Sequence, residues 1–109
     1  MPKDSRVYLE DILASIEKIE RYTSKVTFET FEKDDLLADA VTRNLEIIGE
    51  AVKNLPEEMK EQHTDVSWKK IAGLRDILIH AYGGIELSII WDIVQKKVPE
   101  LKKKVKTLL

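Results

Sequence analysis

Residues 34–55, DDLLADAVTRNLEIIGEAVKNL, carry the pattern that decides the fold class of this chain. Apolar residues recur there at every third or fourth position, the spacing of one helix face: Leu37, Val41, Leu45, Ile48, Val52 and Leu55. The helix should start near Asp34, and Pro56 stops it because proline lacks the backbone N–H that an interior position donates. The spacing therefore predicts a helix from about Asp34 to Leu55.

The same spacing predicts a helix before this stretch. Asp4 or Ser5 is a suitable N-cap, and the helix should run to about Tyr22 with one apolar side: Leu9, Ile12, Leu13, Ile16 and Ile19. Residues 23–33 are predicted to form a connection with space for a helical turn at its end. Residues 56–62 are predicted to form a short acidic turn.

A third helix is predicted from Trp68 to about Ala81. Ser67 can cap it, and Gly83 and Gly84 can end it because glycine readily adopts the backbone conformation that follows a helix. Its apolar residues again recur at helical spacing: Ile71, Leu74, Leu78 and Ala81.

The last predicted helix begins near Ile85, and Pro99 either kinks it or begins a new helix. Four main helices with short connections predict an all-α, up-and-down bundle of four to five helices. A chain of 109 residues with 43% hydrophobic and 35% charged residues fits one domain, residues 1–109.

Composition excludes several kinds of site. There is no cysteine, which rules out disulfides, thiolate nucleophiles and cysteine-based zinc sites. The first ten residues are charged, and no apolar run approaches the roughly 20 residues that span a bilayer. We therefore expect an unprocessed cytoplasmic protein that is not inserted in a membrane.

Lysines are concentrated at the C-terminal end. From Gln95 onward there are six lysines and one acidic residue, Glu100. Such a segment can attract phosphates. It is also typical of a solvated helix end whose lysines complement the helix dipole, and this second interpretation is the one that the sequence favours.

Residues 75–84, RDILIHAYGG, hold the side chains best suited to chemistry. His80 lies in the last turn of the third predicted helix, four positions after Asp76. At that spacing the carboxylate can accept a hydrogen bond from one imidazole nitrogen and fix its tautomer. The other histidine, His63, lies in a polar stretch and is predicted to be a solvated loop residue.

Arg75 and Tyr82 lie seven positions apart and share nearly one angular position, whereas Arg75 and His80 are separated by roughly 140° around a straight helix. One ligand would reach both Arg75 and His80 of a single helix only with difficulty. A two-fold axis would instead bring together two arginines and two histidines, so the spacing favours a site shared by two chains.

The spacing alone leaves an ordinary structural interpretation open. Arg75 and Asp76 are also typical of solvent-facing charges, His80 of a cation at a helix C-terminus, and Tyr82 of an aromatic residue at a surface rim. Asn44 falls within the apolar stripe of the second helix, where a buried amide needs hydrogen-bond partners. It is predicted to be a satisfied helix-contact residue that could also orient Arg75 or His80.

These segments resemble a known family. Arg75 and Asp76, followed by three residues and His80, resemble the HEPN signature of an arginine, a polar residue, three residues and a histidine. The longer form that ends at Tyr82 is similar to the HepT-like branch. Residues 68–74, WKKIAGL, and 43–51, RNLEIIGEA, are also similar to that branch. The likeness covers about residues 34–98.

The resemblance implies a helical homodimer with Arg75 and His80 at the shared cleft. It implies cleavage of RNA without a metal or another cofactor, as the toxin of a type VII toxin–antitoxin pair. A histidine can remove the proton of the RNA 2′-OH, a second histidine can protonate the leaving oxygen, and Arg75 can stabilise the developing phosphorane. The antitoxin implied by the family is a minimal nucleotidyltransferase that transfers AMP to Tyr82.

Two alternatives remain at this point. The chain could be a non-catalytic docking partner of the nucleotidyltransferase, or a plain helical bundle with a cationic tail. A docking module has no physical need for Arg75, His80 and Tyr82 together, so the trio favours the nuclease.

Overall fold

The computed structural model describes residues 4–80 and 86–109, with Ile77, Ile79 and His80 described by their backbone alone. The helices are α1 (Ser5–Thr23), α2 (Phe28–Lys33), α3 (Asp35–Lys53), α4 (Glu57–Gln62), α5 (Trp68–His80), α6 (Leu87–Asp92) and α7 (Val98–Leu108). A π-helical segment, Ile93–Lys97, joins α6 to α7. Within these ranges no strand is present, so the all-helical class is confirmed.

The buried core forms around α3, which packs mainly against α1 and α5, while α7 packs against α1. The apolar stripes of α1 and α3 lie inside as the spacing predicts, although Leu13 and Leu37 are only half-buried. Burial of each large aliphatic side chain contributes about 1.5–3 kcal/mol. The most deeply buried aliphatic side chains are those of Ile12, Ile16, Ile19, Val41, Leu45, Ile48, Val52 and Val105.

Side-chain caps fix the starts of α1 and α3. The Asp4 carboxylate accepts a hydrogen bond from the Arg6 backbone N–H at 3.1 Å. The Asp34 carboxylate likewise accepts one from the Leu37 backbone N–H at 3.0 Å. Each cap satisfies one of the N–H groups that a helix start leaves without an intrahelical partner. Both predicted starts are therefore confirmed.

The connection predicted for residues 23–33 contains the short helix α2. Thr27 caps it through a hydrogen bond from the Thr30 backbone N–H, and its Phe31 side chain is fully buried. The Phe31 ring lies 5.1 Å from the Trp91 ring, centroid to centroid, so contact with α6 holds this turn in place. The sequence allowed a helical turn here but did not indicate this long-range contact.

The acidic turn predicted for residues 56–62 is wrong, because Glu57–Gln62 is the helix α4. Pro56 stands at its N-cap, where the missing N–H of proline costs nothing. Glu57 and Glu58 lie in the first turn and complement the positive end of the helix dipole. No residue of α4 is fully buried, which explains why it lacks an apolar stripe in the sequence.

The last predicted helix corresponds to α6, the π-helical segment and α7. Pro99 lies in the first turn of α7, so it is associated with a new helix and not with an interior kink. A proline ring collides with the carbonyl one α-helical turn earlier, and the wider π-helical turn before Pro99 relieves that conflict. Leu101 and Val105 of α7 are nevertheless buried in the main core.

Three boundary predictions lie outside the described residues: the end of the third helix at Ala81, its termination by Gly83 and Gly84, and the start of the last helix at Ile85. Among the residues that are described, no helix is both long and apolar enough to span a membrane.

Candidate functional site

A close approach between α3 and α5 determines the position of Arg75. A Cβ atom added to Gly49 of α3 would lie 3.1 Å from the Ile71 backbone oxygen and 3.2 Å from the Arg75 backbone nitrogen. It would also lie 3.3 Å from the Arg75 Cβ atom. These distances are shorter than ordinary van der Waals contacts. Glycine at position 49 therefore lets the backbone of α5 approach α3 at the residue that carries the guanidinium.

Glu50, next to Gly49, is the ion-pair partner of Arg75. The Arg75 Nε atom lies 3.0 Å from Glu50 Oε2, and the two side chains are 40% and 48% exposed. A pair in this much contact with solvent contributes only about 0–1 kcal/mol to stability. Its main consequence is geometric, because a charged contact to the rigid helix α3 orients the arginine side chain.

Asp76 is a second carboxylate neighbour of Arg75. Its Oδ1 atom lies 3.7 Å from an Arg75 Nη atom, and its side chain is 71% exposed. A guanidinium has five N–H donors, so two carboxylates do not exhaust its capacity to bind an anion. The predicted hydrogen bond between Asp76 and His80 depends on the His80 side chain, which lies outside the described residues.

Asn44 is buried, as its place in the stripe predicts, but it is not fully satisfied. Its Nδ2 atom donates to the Ala40 backbone oxygen at 2.9 Å, while its buried Oδ1 atom has no hydrogen-bond partner among the residues that the structure describes. In the described part of the chain, Arg75 is bonded to carboxylates and Asn44 to its own helix. No hydrogen bond joins Asn44 to Arg75 among the described side chains.

The remaining predicted site positions differ in what is described. His80 is the last residue of α5, which places its backbone at the predicted helix end, and Tyr82 lies outside the described residues. His63 ends α4, and its backbone oxygen accepts a 2.8 Å hydrogen bond from the buried Trp68 indole. His63 therefore helps to join α4 to α5.

Sequence analysis missed Glu50 and Gly49 as determinants of the site. Both belong to the RNLEIIGEA segment, whose signal in the sequence is its resemblance to the HepT-like branch and not a predicted contact. A glycine followed by an acidic residue within a helix indicates neither a close helix contact nor its partner.

In the described ranges, no cluster of three His, Asp or Glu side chains is arranged to hold a metal ion.

Comparison with known proteins identifies the family. A family model described as Ribonuclease HepT-like matches residues 12–108. The chain belongs to the HepT-like ribonuclease family. This confirms the resemblance carried by the motif and the two flanking segments.

Several curated proteins are similar along nearly the whole chain. A protein of Caldanaerobacter subterraneus that is provisionally named an RNase is 51% identical, over 98% of this chain and 96% of its own length. A Thermococcus cleftensis protein provisionally named ribonuclease HepT is 44% identical, over 99% of this chain and 98% of its own length.

A third relative is longer than this chain. It is a Methanocaldococcus jannaschii protein whose name joins gamma-glutamylcyclotransferase to a provisional RNase. It is 48% identical over 96% of this chain, which corresponds to 47% of that protein. No solved structure matches the chain.

Proposed function

We propose that this protein is a metal-independent endoribonuclease, the toxin of a type VII pair whose antitoxin is a minimal nucleotidyltransferase. The observation that carries the proposal is the HepT-like ribonuclease match over residues 12–108, which includes Arg75 and His80. The half-exposed Arg75 guanidinium supports it, because a cation oriented by α3 yet open to solvent can receive an RNA phosphate.

In the proposed reaction, His80 of one protomer removes the proton from an RNA 2′-OH. The 2′ oxygen then forms a bond to the adjacent phosphorus, and the bond from phosphorus to the 5′ oxygen breaks. His80 of the partner subunit donates a proton to that leaving oxygen. Arg75 donates charge-assisted hydrogen bonds to the phosphorane oxygens as negative charge develops. RNA supplies the nucleophile, so these steps use no metal ion or other cofactor.

A homodimer is part of this proposal. Positions 75 and 80 are five residues apart in the sequence, a spacing that corresponds to roughly 140° around a regular helix. Two such helices related by a two-fold axis can present both residue types to one phosphate. We expect the protein to sediment as a dimer at micromolar concentration, and a monomer would contradict the shared site.

Regulation is proposed to act through Tyr82. AMP attached to its phenol would add a phosphodiester anion and a bulky nucleoside. Arg75 and Tyr82 are seven residues apart in the sequence, a spacing that corresponds to nearly one angular position on a regular helix. The anion would compete with RNA phosphate for the guanidinium and repel the substrate. Asp76 has a supporting role in this scheme, because its carboxylate borders Arg75. Asn44, which is buried in α3, is proposed as a second orienting residue.

The decisive experiment compares RNA cleavage by the wild type and by the Arg75→Ala and His80→Ala variants, each purified without the nucleotidyltransferase. Each variant should lose about 10²-fold or more of the activity, in EDTA as well as without it. Arg43→Ala is the matched control, because Arg43 lies on α3, is 72% exposed and pairs with Glu46 at 3.8 Å.

Circular dichroism should show equal helicity in all four proteins. Loss of activity in EDTA would reject the metal-independent mechanism. Normal cleavage by either site variant would reject the assigned roles, and a wild type without any cleavage would favour the non-catalytic docking partner.

A further inference from the structure

A cleft between α5 and the C-terminal helices collects several of the lysines from the sequence. Its volume is about 660 Å³. Four lysines line it: Lys70 of α5, Lys97 of the π-helical segment, and Lys103 and Lys104 of α7. We name this feature the lysine cleft. The C-terminal lysines are therefore more than the solvated helix end that the sequence favoured, because three of them converge with Lys70 on one concave surface.

The charge of the lysine cleft is positive overall. Two acidic residues also line it, Asp65 and Glu100. Asp65 is already engaged, since its Oδ2 atom lies 2.8 Å from the Lys104 Nζ atom, and that hydrogen bond lowers the pKa of Asp65. The other three lysines are exposed and have no carboxylate within ion-pair distance in the described ranges. They are available to an external anion.

The floor of the cleft is apolar. It includes Ile71 and Leu74 of α5, Ile93 of the π-helical segment and Leu101 of α7. Clefts of roughly 300–1,000 Å³ are the size that small molecules occupy, so this one can take a nucleotide or two of a single strand. An apolar floor can bury the non-polar parts of a ribose or base, while the lysines at the rim bind phosphates.

The cleft lies on the helix that carries Arg75. Lys70 and Arg75 are five residues apart on α5, which is about 7.5 Å along the helix axis. Leu74, the residue before Arg75, is part of the cleft floor. Positions 70 and 75 are also roughly 140° apart around the helix, so a strand whose phosphate contacts Arg75 has to pass partly around α5 to reach the lysines. Ser67, the residue before α5, also lines the cleft, and the N-terminal end of the helix dipole adds partial positive charge there.

We propose that the lysine cleft binds the phosphates of a single-stranded RNA segment that flanks the scissile bond. The inference rests on the proposed ribonuclease function, and it adds a second substrate-binding site outside the one that contains Arg75 and His80. It assigns to Lys70, Lys97 and Lys103 the role of holding the strand, with no part in the chemical step.

The test measures binding without cleavage. A short 2′-O-methyl oligoribonucleotide with a fluorescein label has no free 2′-OH, so the wild-type protein can bind it but cannot cut it. Fluorescence anisotropy gives its Kd for the wild type and for Lys70→Glu, Lys97→Glu and Lys103→Glu at several KCl concentrations. The matched controls are Lys18→Glu on α1 and Lys33→Glu on α2, since both lysines are exposed and lie outside the cleft.

Each cleft variant should bind about threefold to tenfold more weakly than the wild type. The slope of log affinity against log salt concentration should be shallower by about 0.7, because one phosphate contact to a single strand is lost. The controls should change affinity by less than about twofold. Thermal unfolding identifies any variant that is destabilised, and lysine-to-glutamine versions then test the same sites without charge reversal.

Equal weakening by the controls, or unchanged binding in all three cleft variants, would overturn the proposal. So would binding of a labelled acidic peptide that the cleft variants weaken, combined with no oligonucleotide binding, which would assign the cleft to a protein partner. The two proposals fail separately. A wild type that binds the oligonucleotide through the cleft but never cuts RNA refutes only the ribonuclease, whereas normal cleavage with unaltered binding in the cleft variants refutes only the lysine cleft.

Discussion

Gly49→Ala tests whether the contact between α3 and α5 sets the position of Arg75. The added methyl group would meet the Ile71 backbone oxygen at 3.1 Å and the Arg75 backbone nitrogen at 3.2 Å. Both are backbone atoms of α5 and cannot rotate away as a side chain can. Because ordinary contacts begin near 3.4 Å, α5 must move away from α3 by a few tenths of an ångström.

Two opposing effects determine the size of the change. Alanine is more favourable than glycine inside a helix by about 1 kcal/mol. Overpacking a tight contact costs about 1–3 kcal/mol. Gly73→Ala separates the two, because Gly73 lies inside α5 and a Cβ atom there meets no described atom within 4 Å. The alanine at position 73 should thus be stabilising by about 1 kcal/mol.

Urea unfolding followed by circular dichroism gives both free energies of unfolding. The free energy of unfolding of Gly49→Ala should be about 1–3 kcal/mol lower than that of Gly73→Ala, since both variants gain the same helix propensity. The displaced α5 should also separate Arg75 from Glu50 and reduce RNA cleavage, an effect absent in Gly73→Ala. Equal stabilisation by the two alanines would refute the argument, because it would mean that α5 is not held against α3 at Gly49.

Two further predictions concern ionisation and regulation. The Lys104 ammonium lowers the pKa of Asp65 below 3.8, so their contact stabilises the fold above that pH and is lost as the pH falls through the folded-state pKa. Lys104→Gln should therefore raise the Asp65 pKa in an NMR titration, and an unchanged value would refute the contact. The Tyr82→Phe variant should still cleave RNA after incubation with the nucleotidyltransferase and ATP. Complete loss of its cleavage activity under those conditions would instead indicate steric inhibition by the nucleotidyltransferase.

The long helices could be predicted because their signals are local. The starts of α1 and α3 lie where they were predicted, near Asp4 and Asp34, and the apolar faces of the two helices form the core. The short helices α2 and α4 lack an apolar stripe of this kind. Helix α2 depends on the contact of Phe31 with Trp91, sixty positions later, and α4 has no buried residue to produce an apolar period.

The candidate site was predictable only in part, for a related reason. The motif singles out Arg75 because an arginine and a histidine near one helix end suit phosphate chemistry. It does not indicate Glu50, because a contact between α3 and α5 depends on how the two helices face each other. Asn44 shows the same limit: its burial follows from its place in the stripe, but its hydrogen bond to the Ala40 backbone oxygen does not follow from the motif.

Helix α5 links these observations, because a rigid helix transmits a displacement along its length. Lys70 and Leu74 border the lysine cleft, Arg75 contacts Glu50, and His80 ends the helix. Gly49 fixes the separation of α5 from α3 at the middle of that series. A shift there would move the proposed strand-binding lysine and the proposed catalytic arginine together, so it should weaken oligonucleotide binding and cleavage in the same variant. A lysine variant of the cleft should weaken binding alone, and this contrast separates the positioning of α5 from the charge that it carries.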